Sequence, residues 1–127
     1  MFYLISKTKM FGIIPLMVEV LFEKACVPKE MFPKSILNLA YISLKILNNM
    51  FRIDLKICQD ILNELTMQQQ FNKMLNFIMK YCQFYEDQEE VQDILFETIL
   101  MIGYYTLFNK TGQEMVRSGE HSLVLNL

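Results

Sequence analysis

The chain is 127 residues long with a mass of 15.1 kDa, and 53% of its residues are hydrophobic, while only four are glycine and three are proline. This composition excludes a disordered or fibrous chain, and the length predicts a single domain, residues 1–127. Twelve basic and fourteen acidic residues give a net charge of -2. No long block of basic charge is present, so nucleic-acid binding is disfavoured.

The spacing of apolar residues predicts two helices in the first part of the chain. The first runs from Ile13 to Ala25 and is ended by Pro28. The second is longer and runs over Pro33–Phe51. A second apolar stripe lies beside its main one, which predicts burial on two sides of this helix. That second stripe consists of Leu39, Ile42, Ile46 and Met50.

Two further helices are predicted from capping signals in the middle of the chain. Asp54 is the expected N-cap of a short third helix, because its carboxylate can accept hydrogen bonds from the free amides of a first turn. Thr66 is the expected cap of a fourth helix over Met67–Tyr85. The apolar residues of this fourth helix recur at helical spacing and its polar residues lie away from them, so the helix is amphipathic.

The last third of the chain predicts two more helices. The fifth covers Glu89–Phe108 and is apolar on all sides from Ile99 onward, which predicts a central, buried helix. Thr111 and Glu114 match a capping box and predict the start of a short sixth helix. Gly119 is expected to end that helix in a left-handed conformation.

These elements predict an all-α fold, because no segment shows strand alternation or a hairpin signal. Glycine breaks between helices, at Gly12 and again around Gly112 and Gly119, are typical of helical repeats and predict armadillo- or HEAT-like stacked helices. The chain stops while another helix is being built. We therefore expect an incomplete solenoid fragment, truncated at its C-terminal end.

Residues with catalytic or metal-binding chemistry are few and scattered. The single histidine, His121, accompanies no glycine-framed serine or activated cysteine. Cys26, Cys58 and Cys82 lie in apolar surroundings without the paired spacing of a zinc site, as expected for reduced, buried thiols. The acidic run Glu86–Asp93 is interpreted as a solvated helix start. We expect no enzyme, cofactor or metal, and a reactive Cys82 is the feature that would indicate catalysis.

Asn48 and Asn49 are candidate peptide-binding residues. An asparagine on the inner helix of a repeat can bond both backbone groups of an extended peptide. The alternative interpretation is that both are ordinary polar residues near a helix end, since no tryptophan accompanies them.

Six segments, taken in order, have the pattern of a known family. They are Phe11–Leu21, Leu44–Phe51, Ile53–Gln59, Tyr81–Cys82, Ile102–Thr106 and Asn109–Gly119. Together they resemble the C-terminal helical region of the S-phase cyclin-A-associated protein in the endoplasmic reticulum. The resemblance implies an armadillo-like piece of a larger scaffold tied to the cytosolic side of the endoplasmic reticulum, to cell-cycle control and to cilia or microtubules. The family's cyclin-binding segment, zinc-finger-like motif and coiled coil lie outside the resemblance, so no functional residue transfers.

We therefore expect a non-enzymatic protein-interaction or structural module in the cytoplasm, with protein partners and a peripheral association with the endoplasmic reticulum. The longest uncharged run, Thr98–Phe108, is about half of the roughly 20 residues that cross a bilayer, so no transmembrane span is predicted. The alternative is a membrane-surface helical protein that uses its apolar N-terminus, Met1–Leu21.

Overall fold

The computed structural model describes residues 12–19 and 32–118, and it is helical in six segments within these ranges. No strand occurs among the described residues, in agreement with the predicted all-α class. The helices are α1 within residues 12–19, α2 Lys34–Ile53, α3 Leu55–Leu62, α4 Leu65–Phe84, α5 Glu89–Thr106 and α6 Lys110–Ser118.

Asp54 separates α2 from α3, as its predicted role as an N-cap requires. Its backbone N–H donates to the Met50 carbonyl at 3.1 Å and so closes the last turn of α2. Its side-chain Oδ1 accepts from the Ile57 N–H at 3.1 Å and so opens α3. The predicted cap is confirmed, because a single extended residue satisfies backbone groups of both helices.

The predicted cap of α4 is wrong. The helix begins at Leu65 after Glu64, and Thr66 lies inside its first turn. The chain turns directly out of α3, with the Glu64 N–H donating to the Ile61 carbonyl at 3.2 Å and the Gln68 N–H donating to the Glu64 carbonyl at 2.8 Å. Because this short turn supplies the backbone bonds, α4 starts before the threonine.

The junction of α5 and α6 also differs from the prediction. The helix α5 ends at Thr106, because Phe108 adopts a positive φ of 53° that no helix accommodates. The Gln113 N–H donates to the Asn109 carbonyl at 2.9 Å, so α6 begins directly after Asn109, and Thr111 is already inside it. The predicted capping box is therefore wrong, and Gly119 lies outside the described residues.

The core lies between α2, α4 and α5. Lys34 contacts Glu90 near the start of both helices, and Asn48 contacts Glu97 further along both, so α2 and α5 run parallel and side by side. The helix α4 runs antiparallel to α5, since Cys82 contacts the start of α5 at Val91, and Phe71 packs edge-on against Tyr105 near its end. The largest fully buried side chains are Ile14, Leu44, Leu47, Phe51, Ile61, Leu62, Met67, Phe71, Met74, Leu75 and Tyr105.

Two predictions about burial are wrong. On α2 three of the four residues of the second apolar stripe are not buried, since Leu39, Ile42 and Ile46 are 42%, 47% and 42% exposed, whereas Met50 is buried. On α5 the helix is not buried on all sides, since Phe96 and Ile99 are 69% and 41% exposed. Each of these two helices turns one face into the common core, and no described segment covers its opposite face.

Candidate functional site

Asn48 lies inside the contact between α2 and α5. Its side chain is fully buried, and its Nδ2 donates to both the backbone oxygen and the Oε2 of Glu97, each at 3.0 Å. This pair ties the middle of α2 to the middle of α5. The carboxylate of Glu97 is also buried, so the asparagine supplies the donor that a buried carboxylate needs.

The remaining polar atom of Asn48 is unsatisfied. Its Oδ1 is buried and has no hydrogen-bond partner among residues 12–19 and 32–118. Such a group costs about 1–3 kcal/mol relative to a bonded one. The orientation of the amide nevertheless follows from its neighbours, because both nearby atoms of Glu97 are acceptors and require Nδ2 to face them.

Asn49 lies on the surface, in a cluster with Arg52 and Tyr104. The Nη1 of Arg52 donates to Asn49 Oδ1 at 2.7 Å, and its Nε donates to the Tyr104 hydroxyl at 2.9 Å. The guanidinium carbon lies 5.8 Å from the centre of the Tyr104 ring, which itself stacks on Phe51. The core aromatic residue and the surface arginine are thus held in one stack that joins α2 to α5.

The structure separates the two candidate peptide-binding residues. Asn48 faces the core, where an extended peptide has no access to its side chain. Asn49 is exposed and keeps its side-chain NH₂ available, because only its oxygen is bonded in the described structure. Peptide binding stays a prediction, and of the two residues only Asn49 is placed for it.

The described thiols are protonated at neutral pH. Burial raises the pKa of the Cys58 thiol from 9.0 to about 12, and the nearby Asp54 carboxylate adds to that rise. Burial alone raises the pKa of the Cys82 thiol from 9.0 to about 12. Both side chains are fully buried and free of disulfides. A nucleophilic cysteine needs the opposite environment, one that is exposed and electropositive. Cys26 and His121 lie outside the described residues.

The described residues contain neither a cluster of metal ligands nor a helix that could span a membrane. Within residues 12–19 and 32–118, no three His, Cys, Asp or Glu side chains come together as metal ligands. None of the helices described there has the length and apolar character that crossing a bilayer requires. Most of the apolar N-terminus Met1–Leu21 lies outside the described ranges, so the membrane-surface alternative stays open.

A polar network at the end of α5 was not expected from the sequence. The Tyr105 hydroxyl donates to Asn63 Oδ1 at 2.9 Å, and Asn109 Nδ2 donates to the Tyr105 carbonyl at 2.8 Å. Gln59 Nε2 donates to the carbonyls of Tyr104 and Leu107, both at 2.8 Å. These bonds join α3 to the turn between α5 and α6. The side-chain amides donate to carbonyls that have no helical partner, because α5 ends there.

The surface that remains is the outer α2–α5 face. We use this name for the exposed stripes on the two parallel helices, on the side of the pair away from the core. Asn49 lies within it, and Arg52 lies at its edge beside α5. The spacing of its α2 members is visible in the sequence, but their exposure is not. The face consists of Leu39, Ile42, Ile46, Asn49 and Ile53 on α2 and Phe96, Ile99 and Gly103 on α5.

The described part of the chain defines a class of protein, all-helical with an apolar surface that no described segment covers. The chain is similar to a human (Homo sapiens) protein, the S phase cyclin A-associated protein in the endoplasmic reticulum, with 28% identity over 98 residues. The similarity covers 77% of this chain, and the chain spans about 7% of the length of that relative. The resemblance seen in the sequence is thereby confirmed as a similarity.

No protein-family model matches the chain. No solved structure matches it either. The all-helical class therefore rests on the described helices, and the armadillo- or HEAT-like arrangement stays a prediction.

Proposed function

We propose that this chain is a non-enzymatic protein-interaction or structural module of armadillo- or HEAT-like stacked helices. The observation that carries the proposal is the outer α2–α5 face, where six large apolar side chains stay exposed on two adjacent helices. Large exposed apolar patches on folded proteins mark sites of interaction with another protein or a membrane. The six are Leu39, Ile42, Ile46, Ile53, Phe96 and Ile99.

The packing of the helices supports the stacked arrangement. The helix α2 lies parallel to α5, and α4 returns antiparallel between them in the chain. In α-solenoids, corresponding helices of neighbouring repeats stack on each other in this parallel way. The α2–α5 pair is then the contact between two repeats.

The state of the thiols supports a role without covalent chemistry. Cys58 and Cys82 are buried, and their pKa values of about 12 keep them protonated at neutral pH. A thiol of this kind packs as a small apolar group and is a poor nucleophile. Both cysteines act as core residues of the module.

The proposed location is drawn by analogy with the relative. Its name associates that protein with cyclin A and with the endoplasmic reticulum. By analogy the present chain acts in the cytoplasm, at the cytosolic face of the endoplasmic reticulum, as a binding or structural part with a protein partner. The analogy extends to location and to association with a protein, and no residue role is carried over.

Photo-crosslinking in cells tests this function. A photo-reactive amino acid is placed, one position at a time, at Ile46 on the outer face, at Lys73 on α4 and at Lys110 on α6, all of which are exposed. We expect a discrete, heavier protein adduct from at least one position. The adduct should be found in the microsome fraction, and protease should digest it without detergent, because it lies on the cytosolic side of the membrane. Absence of a protein adduct at every position contradicts the proposal, and crosslinks to lipid alone favour the membrane-surface alternative.

A further inference from the structure

The outer stripe of α2 has the spacing of a coiled-coil seam. Leu39, Ile42, Ile46, Asn49 and Ile53 follow one another at intervals of three, four, three and four residues. A repeat of 3.5 residues keeps a stripe facing one partner helix along its whole length. The buried residues of α2, which include Leu44, Leu47 and Phe51, form a separate set toward the core. The helix therefore carries a second seam, which the described structure leaves open.

The polar member of this seam fits a helical partner. Asn49 occupies a core position of the heptad, and its side-chain NH₂ donates to no group in the described part of the chain. Against a partner helix this NH₂ needs an acceptor on that helix, because a buried donor left without a hydrogen bond is costly. The orientation of its amide is already set by the bond from Arg52 Nη1 to its Oδ1.

The charges beside the seam are basic. Lys45 and Arg52 occupy the same heptad position, seven residues apart, directly before Ile46 and Ile53. This is the flanking position that forms salt bridges between the helices of a coiled coil. Neither cation has a carboxylate partner within the described residues, since Lys45 lies over the Tyr41 ring and Arg52 bonds neutral groups. The helix α2 itself contains no acidic residue.

The neighbouring helix provides a recess. Gly103 lies inside α5, exposed, and a Cβ added there meets no atom within 4 Å. A glycine in a helix interior costs roughly 1 kcal/mol relative to alanine, and neither a positive φ nor a close internal contact requires it here. Its absent side chain is what a second backbone needs for close approach. Ile99 and Phe96 lie one and two turns before it, respectively, on the same side.

The two stripes face the same direction. Because α2 and α5 run parallel and both turn their buried sides into the common core, their exposed stripes lie together on the opposite side. Arg52 lies on the side of the α2 stripe that faces α5, since its Nε donates to the Tyr104 hydroxyl.

We propose that the outer α2–α5 face docks an amphipathic helix of another protein, one with an apolar heptad seam and carboxylates at the positions flanking it. The apolar seam covers Leu39, Ile42 and Ile46, and the carboxylates pair with Lys45 and Arg52. This inference rests on the proposed function and names the partner's chemistry. A second copy of this chain fits less well, because antiparallel pairing of two α2 helices brings the cations of both together.

Two synthetic peptides test the proposal with the full-length chain. Both are amphipathic helices of several heptads with leucine at the core positions and one asparagine, and they differ in carrying glutamate or lysine at the flanking positions. Each peptide repels its own copies, so both stay monomeric. Binding is measured by fluorescence anisotropy. We expect the glutamate peptide to bind on the order of tenfold more tightly than the lysine peptide, and we expect its affinity to fall as salt is added.

Variants of the chain locate the binding. The double substitution Lys45→Glu with Arg52→Glu is expected to reverse the preference between the two peptides. Its matched control is Lys73→Glu with Lys80→Glu, which makes the same charge change at two exposed positions of α4 and leaves the preference unchanged. Gly103→Leu is expected to reduce binding of the glutamate peptide at least tenfold, because the new side chain occupies the recess that the peptide needs. The melting temperature should stay equal or rise, because a Cβ added at this position meets no atom of the described residues within 4 Å.

Three results overturn the inference. The first is failure of the glutamate peptide to bind, or equal binding of both peptides; the second is an unchanged preference after the reversal of charge on α2. The third is a dimer on a sizing column that Gly103→Leu dissociates, which assigns the face to a second copy. The proposed function survives if crosslinks in cells arise from Lys73 or Lys110 and not from Ile46, so the two failures are distinguishable.

Discussion

Asn48 and Asn49 are adjacent in the chain and have opposite surroundings. A change at Asn48 removes the donor from a buried carboxylate, whereas a change at Asn49 removes one exposed bond to Arg52. We expect Asn48→Ala to lower the free energy of unfolding by about 2–3 kcal/mol, measured by urea denaturation followed by circular dichroism. Asn49→Ala is the matched control and is expected to stay within about 0.5 kcal/mol. Equal losses in both variants would contradict the burial of Asn48.

The buried thiols predict how stability depends on pH. Below pH 9 both folded and unfolded chains keep their protons, so the contribution of the thiols to stability is complete. Above that pH the unfolded chain loses protons that the folded chain retains up to a pKa of about 12. Stability should therefore fall as pH rises through this interval, by roughly 1.4 kcal/mol per pH unit for each thiol.

The measurement isolates one thiol by comparison. The free energy of unfolding is followed from neutral pH to about pH 11 for the chain and for Cys82→Ala, so that the titration of tyrosines and lysines cancels. The chain should lose more stability with pH than the variant. A constant difference between the two across this pH range would show that Cys82 is accessible and titrates normally.

At the scale of the helix, two glycines test opposite environments. A Cβ at Gly112 in α6 would lie 2.7 Å from Asn109 Nδ2 and 2.9 Å from the Tyr105 carbonyl, whereas one at Gly103 in α5 meets nothing. We expect Gly103→Ala to raise the free energy of unfolding by about 0.5–1 kcal/mol and Gly112→Ala to lower it by about 1–3 kcal/mol. Thermal and urea unfolding check both. A stabilising Gly112→Ala would contradict the close packing of α6 on the end of α5.

The starts of α3 and α4 give a second matched pair. Asp54 accepts from the Ile57 N–H, whereas Thr66 lies beyond the start of α4. We expect Asp54→Ala to cost about 1 kcal/mol of unfolding free energy. Thr66→Ala, at an exposed position, should change it by less than about 0.5 kcal/mol. A larger effect of the threonine would restore its predicted role as the cap.

At the scale of the whole molecule, the described helices share one core. Buried residues of each, from Ile14 in α1 to Val116 in α6, belong to the same hydrophobic cluster. We therefore expect a single cooperative melting transition by circular dichroism. Light scattering on a sizing column with the same sample gives the mass. A gradual melt would mean that the outer α2–α5 face must be covered before the helices pack.

Much of the fold could be predicted from the sequence because local rules determine it. The spacing of apolar residues located five of the helices. The carboxylate of Asp54 marked the start of one of them, because a cap bonds an amide close to it in sequence and does not depend on the tertiary structure. Thr66 and Thr111 carried the same signal and were misleading. At those two points, short turns bonded through neighbouring backbone groups had already started the helix before the threonine.

The site depended on tertiary structure. The sequence by itself determined a helical chain, two apolar stripes on α2 and the heptad interval between Leu39 and Ile53. Only the packing of α2 beside α5 decided which stripe is buried, because a helix with two apolar sides has no internal preference for either. The same packing placed Asn48 against Glu97 and left Asn49 beside Arg52, since adjacent positions on a helix point about 100° apart and the partner helix covers only one.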